Sequence, residues 1–435
     1  MPIEQLNGKP HGVAITLLAV LAALLAAADA WRVASNWAAI DYYQFWVVGQ
    51  AVKHREAGDI YADSERARLG REYLRRAQAG KNKEELRRSR QFQAASQRQV
   101  LETFSTPLLY AVCGSAARGD YDHDLGAFER ASLVLYVLAI VLLCWMLRCS
   151  LGMSALLLVL CLAFFDPLES DVQVGNVNRL QLALLALFLM VQRAAPRRMA
   201  MVLAGAILGL AVCFKPNLAF VAVAWSLGWL LAGDLWRVLL HGAGLLAGAV
   251  LAIAGSSRFF GSVQPWRTWL LHLDELFGGF ALPLSKGNFA LAQVAAESAG
   301  VRLLPWLPLG LLVLCALCAW RGAGRAALST VAGARRFDCL LVSAGAIASL
   351  LGARLAWVHY HVLVIPAVIV LLCHAASARP RTVVAALVAF AMVAGKPLAV
   401  ITASDAAAAW VTSGGAAWLF ALLLRELLLE APRGA

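Results

Sequence analysis

Charge is what this sequence has least of. Asp, Glu, Lys and Arg make up 15% of its 435 residues against 61% hydrophobic, and the mean hydropathy is +0.70. A soluble chain of this size has no ordinary core large enough for that apolar surface, so a polytopic membrane protein is expected. Internal repeats are missing, and so is any soluble nucleotide-binding segment. The apolar run near the N-terminus lacks a small-residue cleavage site followed by a soluble domain. Further apolar runs follow it, which reads as a retained first helix rather than a signal peptide. Nine cysteines are present, mostly inside apolar runs. The CxxC of Cys315 and Cys318 has no second ligand pair, so packing is expected there rather than zinc. The formal charge of +12 sits mainly in short connections between apolar runs. That distribution speaks for membrane topology and against nucleic acid as a partner.

Window hydropathy gives about twelve spans: 12–34, 131–148, 151–165, 178–192, 199–214, 217–233, 238–255, 303–320, 337–353, 361–377, 382–396 and 406–424. The expected class is therefore an all-α polytopic membrane protein forming a single domain over 1–435. With the N-terminus cytoplasmic, the inside connections hold Arg148, Arg193, Arg197, Arg198, Arg237, Arg321, Arg325, Arg335, Arg336, Arg379, Arg381 and Arg425. The short outside connections hold Lys215, Arg354 and Lys396. This asymmetry places both termini in the cytoplasm of a cell inner or plasma membrane. Two long loops then fall outside, 36–130 and 256–302. The first carries a polar insertion, 62–99, whose sparse apolar positions (Leu69, Tyr73, Leu74, Leu86, Phe92) read as a solvated or interfacial helix near anionic headgroups.

Sorting polar residues by side puts the candidate chemistry outside. Asp41 follows the first span within an aromatic run, Tyr42, Tyr43, Phe45 and Trp46. On the same face lie Asp166, Asp171, Asn176, Asn178, Lys215, Arg258, Lys286, Asn288, Trp357, His359 and His361. Nucleotide sugars are cytoplasmic, so an external reaction needs a donor already carried in the membrane. If that donor is a sugar on a polyprenyl phosphate, its leaving group is a stable anion and no general acid is required. A base must take the acceptor hydroxyl's proton, and cations must hold the phosphate. Asp41 suits the first role and Lys215 the second, with Arg258 and His359 on the same face. Lys215-Pro216 also breaks helical hydrogen bonding ahead of a new helix N-terminus at Asn217.

Each residue has a plainer reading. Asp41 would serve as a cap for a short helix beginning at Tyr42. His359 and His361 would be interfacial anchors, and Asn176 and Asn178 turn formers beside Gly175. Asp166 and Asp171 would be solvated loop acids, and His241 a packing residue. Asp122-His-Asp124 has the DxD spacing of metal-dependent sugar-nucleotide enzymes, but without a nucleotide diphosphate to bridge no metal is expected.

Several segments resemble the glycosyltransferase 87 family. They are Asp41-Tyr-Tyr-Gln-Phe-Trp-Val-Val-Gly-Gln-Ala, Ala57-Gly-Asp-Ile-Tyr61, Phe104-Ser-Thr-Pro107-Leu, Val174-Gly-Asn-Val-Asn178, Phe214-Lys215-Pro216, Gly287-Asn288 and Trp357-Val-His359-Tyr360. They occur in family order across residues 41–361. The resemblance implies a GT-C-type fold and long extracytoplasmic loops carrying short interfacial helices. It implies a polyprenyl-phosphate sugar, mannose favoured, as donor, and a glycan or glycolipid as acceptor. Asp41 would be the base of an inverting transfer. Asn288 would join the donor-binding set, and Tyr42, Tyr43, Tyr61, Asn176, Asn178 and Trp357 would contact substrate. No cofactor is implied beyond the lipid-linked donor. Departures occur at Asn176, Ser105-Thr106 and Phe289-Ala290, and the insertion 62–99 is long for the family. A transporter or lipid flippase is the competing class, but such proteins place charge inside their spans and often show matched halves.

Overall fold

A computed structural model describes residues 10–34, 36–193, 198–273, 284, 287–303, 306–323, 328, 330–375, 379–395 and 404–429. Lys286, Lys396, Arg197, Arg325 and part of the loop 256–302 lie outside them. The described chain is α-helical with short 3-10 turns, and each of the twelve apolar runs coincides with a helix. Among the described residues four helices are by themselves long and apolar enough to cross a membrane: Val13–Ala34, Tyr121–Met146, Leu235–Phe260 and Asp405–Leu429. Leu151–Ala163 and Asp166–Val174, bent by 52°, pass the same test as a pair. Shorter apolar helices accompany them, among them Asn178–Gln192, Arg198–Phe214 and Pro380–Ala394.

Small residues set the closest helix pairing. Gly205 and Gly209 of Arg198–Phe214 face the main chain of His241 and Leu245, while Gly244 and Gly248 of Leu235–Phe260 face Val202 and Ala206. A Cβ at any of the four would meet backbone carbonyl carbons at 2.9–3.0 Å. Register advances equally on both sides, so the two helices run parallel. Between lipid-exposed helices there is little hydrophobic drive, and dispersion over such a close seam replaces it.

The helices gather polar groups at two opposite ends. At one end Arg336 (2.8 Å) and Arg379 (3.1 Å) converge on buried Glu426. The same end carries a disulfide, Cys149–Cys373, with Cα atoms 5.7 Å apart, so these two cysteines are cross-linked rather than free packing residues. Val331–Gly352 runs from this end to the other, where Gly352 meets Pro308. That second end carries Asp41.

The insertion 62–99 differs from its expected solvated form. Its helices Asp63–Gln78 and Arg90–Gln97 pack onto Ile40–Lys53 through Leu69, Tyr73, Ala77, Ala94 and Ala95, all buried, while the short helix Lys83–Arg88 between them buries no residue. Leu69, Tyr73 and Ala77 recur every four residues, a single helical stripe. With Tyr42, Tyr43, Trp46, Tyr110 and Tyr121 they form a second core, separate from the bundle's. Each such large side chain contributes about 1.5–3 kcal/mol on burial. The long helix also starts earlier than expected, at Tyr121, because Asp120 accepts the His123 amide at 3.1 Å. Asp122, Asp124, Glu129 and Arg130 in its first turns dilute the hydropathy there.

Candidate active site

Asp41 lies in the first turn of Ile40–Lys53, whose N-cap is Ala39 in the left-handed region (φ 54°). Asp41 is thus inside the helix and does not cap it, which removes the plainer reading. One carboxylate oxygen accepts from Asn176 Nδ2 at 2.7 Å and the other from Arg98 at 3.4 Å. Its side chain is 18% exposed. A carboxylate near a helix N-terminus is favoured by the helix dipole, and here it is also held facing the partner segment.

That partner segment is the break between Asp166–Val174 and Asn178–Arg193. Gly175 ends the first helix at φ 67°, and a Cβ there would lie 2.6 Å from Ala39 Cβ and 2.8 Å from Tyr42 Cβ. Only glycine allows both the turn and the approach. The turn aims Asn176 and Asn178 at one cation: Lys215 Nζ donates to their side-chain oxygens at 3.0 and 2.8 Å. Asn176 therefore bridges base and cation, giving its N–H to Asp41 and taking one from Lys215. Lys215 has extended backbone (φ −150°) between Arg198–Phe214 and the turn at Pro216, and its ammonium sits 4.1 Å above the Tyr360 ring. No carboxylate lies within ion-pair distance of it among the described residues. Burial lowers its pKa to about 8, against the pull of Asp171 and Asp41.

Behind this pair lies a closed ion cluster. Arg179 donates to Asp171 at 2.7 Å and to both oxygens of Glu129 at 2.6 and 3.2 Å, and Asn178 Nδ2 donates to Asp171 at 2.7 Å. Arg179 and Asp171 are fully buried, so Asp171 is no solvated loop acid. Sequence reasoning missed Arg179 and Glu129. Charges among apolar residues were the available signal: buried Arg179 and Asp338 lie within expected spans, and buried Glu129 and Glu426 lie just beyond the ends of two others. Asp338 accepts from the Trp225 and Trp229 indoles at 2.8 and 2.7 Å.

His359 and His361 are buried, not interfacial anchors. His361 Nδ1 lies 3.2 Å from the Val358 carbonyl. His359 Nε2 is buried with no partner among the described residues, and its ring packs edge-on against Tyr360, the ring beneath Lys215. Trp357 stacks beside His359 with 6.3 Å between ring centres.

Other expected site residues serve the framework instead. Asn288 is fully buried, accepting from the Ala290 and Ala356 amides and donating to the Arg354 carbonyl. Clamping main chain in this way leaves it no role at a donor phosphate. Tyr42 stacks on Phe128, Tyr43 packs edge-on to Tyr121, and the Tyr61 hydroxyl donates to the Ser105 carbonyl at 2.9 Å. All three are buried in the second core, which removes them from substrate contact. Arg258 is exposed in the last turn of Leu235–Phe260 and makes no bond to this cluster. Asp124 is occupied by the Trp46 indole and the Arg118 and Gly119 amides, and Asp122 by Arg90. His241 packs against Trp225 and Gln192, as expected of a packing residue.

An apolar groove of about 460 Å³ lies between Pro107–Ala116, Tyr121–Met146, Asn178–Arg193 and Arg198–Phe214. Val112, Leu135, Leu138 and Leu187 line it and are exposed. Its lining includes Leu180 and Phe214, which adjoin Arg179 and Lys215 in sequence. The lining of this apolar trough thus reaches the residue before Lys215 along the chain.

The chain matches no protein-family description, no curated protein and no solved structure. The resemblance to the glycosyltransferase 87 family therefore rests on the residues quoted above.

Proposed function

We propose that this protein is an inverting, GT-C-type membrane glycosyltransferase that moves a sugar, mannose favoured, from a polyprenyl phosphate to an acceptor hydroxyl. The observation that carries this reading is the Asn176 amide linking the Asp41 carboxylate to the Lys215 ammonium, and it is joined by an apolar groove whose lining includes Phe214, the residue before Lys215. A prenyl chain fits the groove by its chemistry, and its phosphate then lies by Lys215 and the unpartnered His359 nitrogen. In the reaction the acceptor oxygen attacks the sugar's anomeric carbon, and its proton passes to Asp41. The carbon–oxygen bond to phosphate breaks, and the electron pair leaves with the polyprenyl phosphate. The base contributes by proton abstraction and the cation by holding charge that develops on the leaving oxygen.

On this reading all twelve apolar helices cross the membrane. The Asp41 end is extracytoplasmic, and the end with Arg336, Arg379 and Glu426 is cytoplasmic, as the positive-inside rule favours. The acceptor is a lipid-linked glycan or glycolipid.

The test is transfer in proteoliposomes with radiolabelled polyprenyl-phosphate mannose and a panel of glycan acceptors. Product from wild type and none from a correctly folded Asp41→Asn variant supports the assignment. Near-wild-type transfer by that variant removes Asp41 from the base role. Labelled donor crossing the bilayer unchanged would replace transfer with transport, since buried charges such as Glu129 and Arg179 also suit a transporter.

A further inference from the structure

The insertion 62–99 brings one residue to the candidate base. Arg98 follows the helix Arg90–Gln97, and its main chain is seated on Gly70, where a Cβ would fall 2.8 Å from the Arg98 carbonyl oxygen and 2.6 Å from the Gln99 carbonyl carbon. Arg66 fastens the next turn, donating to the Leu101 carbonyl at 2.6 Å. The Glu102 amide bonds the Gln44 side chain, one helical turn beyond Asp41. Two helices and a glycine cradle thus fix where this guanidinium stands.

The guanidinium itself is not well satisfied. Settled charge-assisted bonds measure about 2.7–2.9 Å, and Arg179 in this same molecule meets its acids at 2.6 and 2.7 Å. Arg98 reaches Asp41 with one nitrogen at 3.4 Å and Glu102 with another at 3.1 Å. Its Nε, out of solvent, has no acceptor among the described residues. Its second acid is a weak partner as well: the Glu102 side chain is 43% exposed, so water screens the pair. Acids are scarce around it, because the insertion holds eleven Arg and Lys against five Asp and Glu. A planar donor fork with an unused edge suits a phosphate or carboxylate.

We infer that Arg98 is the anchor for an anionic group on the acceptor, so that the acceptor class is acidic: a glycan or glycolipid carrying a phosphate or carboxylate near the reacting hydroxyl. Resting Arg98 covers one oxygen of Asp41. An arriving anion takes the guanidinium and uncovers that oxygen for the acceptor's proton, so only a charged acceptor frees the base. This inference rests on the transfer reading for its consequence, but its binding claim stands separately.

The experiment compares two synthetic acceptors, an octyl mannoside and the same mannoside bearing a phosphate monoester, in wild type, Arg98→Gln, Arg98→Lys and Lys215→Ala. Binding is measured by thermophoresis in nanodiscs, and transfer from polyprenyl-phosphate mannose where it occurs. The phosphorylated mannoside should bind wild type about 10- to 100-fold more tightly than the neutral one. Arg98→Gln should bring that ratio to about one, Arg98→Lys should recover part of it, and Lys215→Ala should leave the ratio standing. A ratio near one in wild type, or a ratio unmoved by Arg98→Gln, overturns the inference. Selective binding without transfer by any variant retains Arg98 as an anion anchor and sinks the transfer reading instead.

Discussion

Two ion clusters share the turn at residues 171–179 and are built on opposite plans. Around Arg179 every charge is buried and closed, with two acids meeting one guanidinium at 2.6 and 2.7 Å. Around Lys215 the cation has only neutral amide oxygens and a ring, and Asp41 stands one amide away with a long contact to Arg98. The first cluster has nothing left to offer a ligand. The second keeps an anion and a cation apart though both are half-buried, and separated opposite charges have unspent interaction capacity. Asn178 links the two, donating to Asp171 and accepting from Lys215. The closed cluster is thus the rigid support that holds the open one in its unsatisfied state.

If that contrast is right, substitutions divide cleanly. Asp41→Asn should lower transfer by about 10²- to 10⁴-fold, the usual range for a general base, with thermal stability little changed. A fall in melting temperature accounting for the loss would erase the distinction. Arg179→Met should do the reverse, costing about 3–5 kcal/mol of stability by leaving Glu129 and Asp171 uncompensated, read as lost folded yield in detergent. Lys215→Ala should raise the donor KM about tenfold or more while the fold persists.

The pH dependence sharpens the same comparison. Lys215 is a cation below about 8 and loses its proton above it. Donor kcat/KM should therefore decline above pH 8, by about tenfold per unit, and Lys215→Arg should shift that limb upward. A limb at the same pH in the arginine variant would assign it to another group. The smallest effect concerns the far end. The structure closes Cys149–Cys373, so on the proposed topology, with that end in a reducing cytoplasm, the bridge should be open and maleimide-reactive in intact cells and re-form when the purified protein is oxidised. A pair already closed in cells would turn the molecule over in its membrane.

The twelve apolar runs were legible because hydropathy accumulates over a whole helix, so single polar exceptions barely matter. Asp41, Lys215, Asn176, Asn178 and His359 were legible because polar residues stood out beside apolar ends. Arg98 was not, since one arginine among eleven cations is singled out only by the tertiary path that carries it to Asp41. The stripe Leu69, Tyr73, Ala77 was present in the sequence, but three apolar positions in a charged helix reveal a buried face only once a partner is known. Tyr42, Tyr43 and Tyr61 misled for the opposite reason: aromatic rings beside a carboxylate suit a sugar, and they suit a core equally.

The groove's exposed lining has a kinetic meaning. On the proposed reading, a trough with exposed apolar walls receives its substrate from the plane of the bilayer, by two-dimensional diffusion, so bulk molarity would be the wrong measure of saturation. Its occupancy would follow the donor's mole fraction among lipids. Diluting the membrane with inert phospholipid at constant total donor should slow the protein as surely as removing donor.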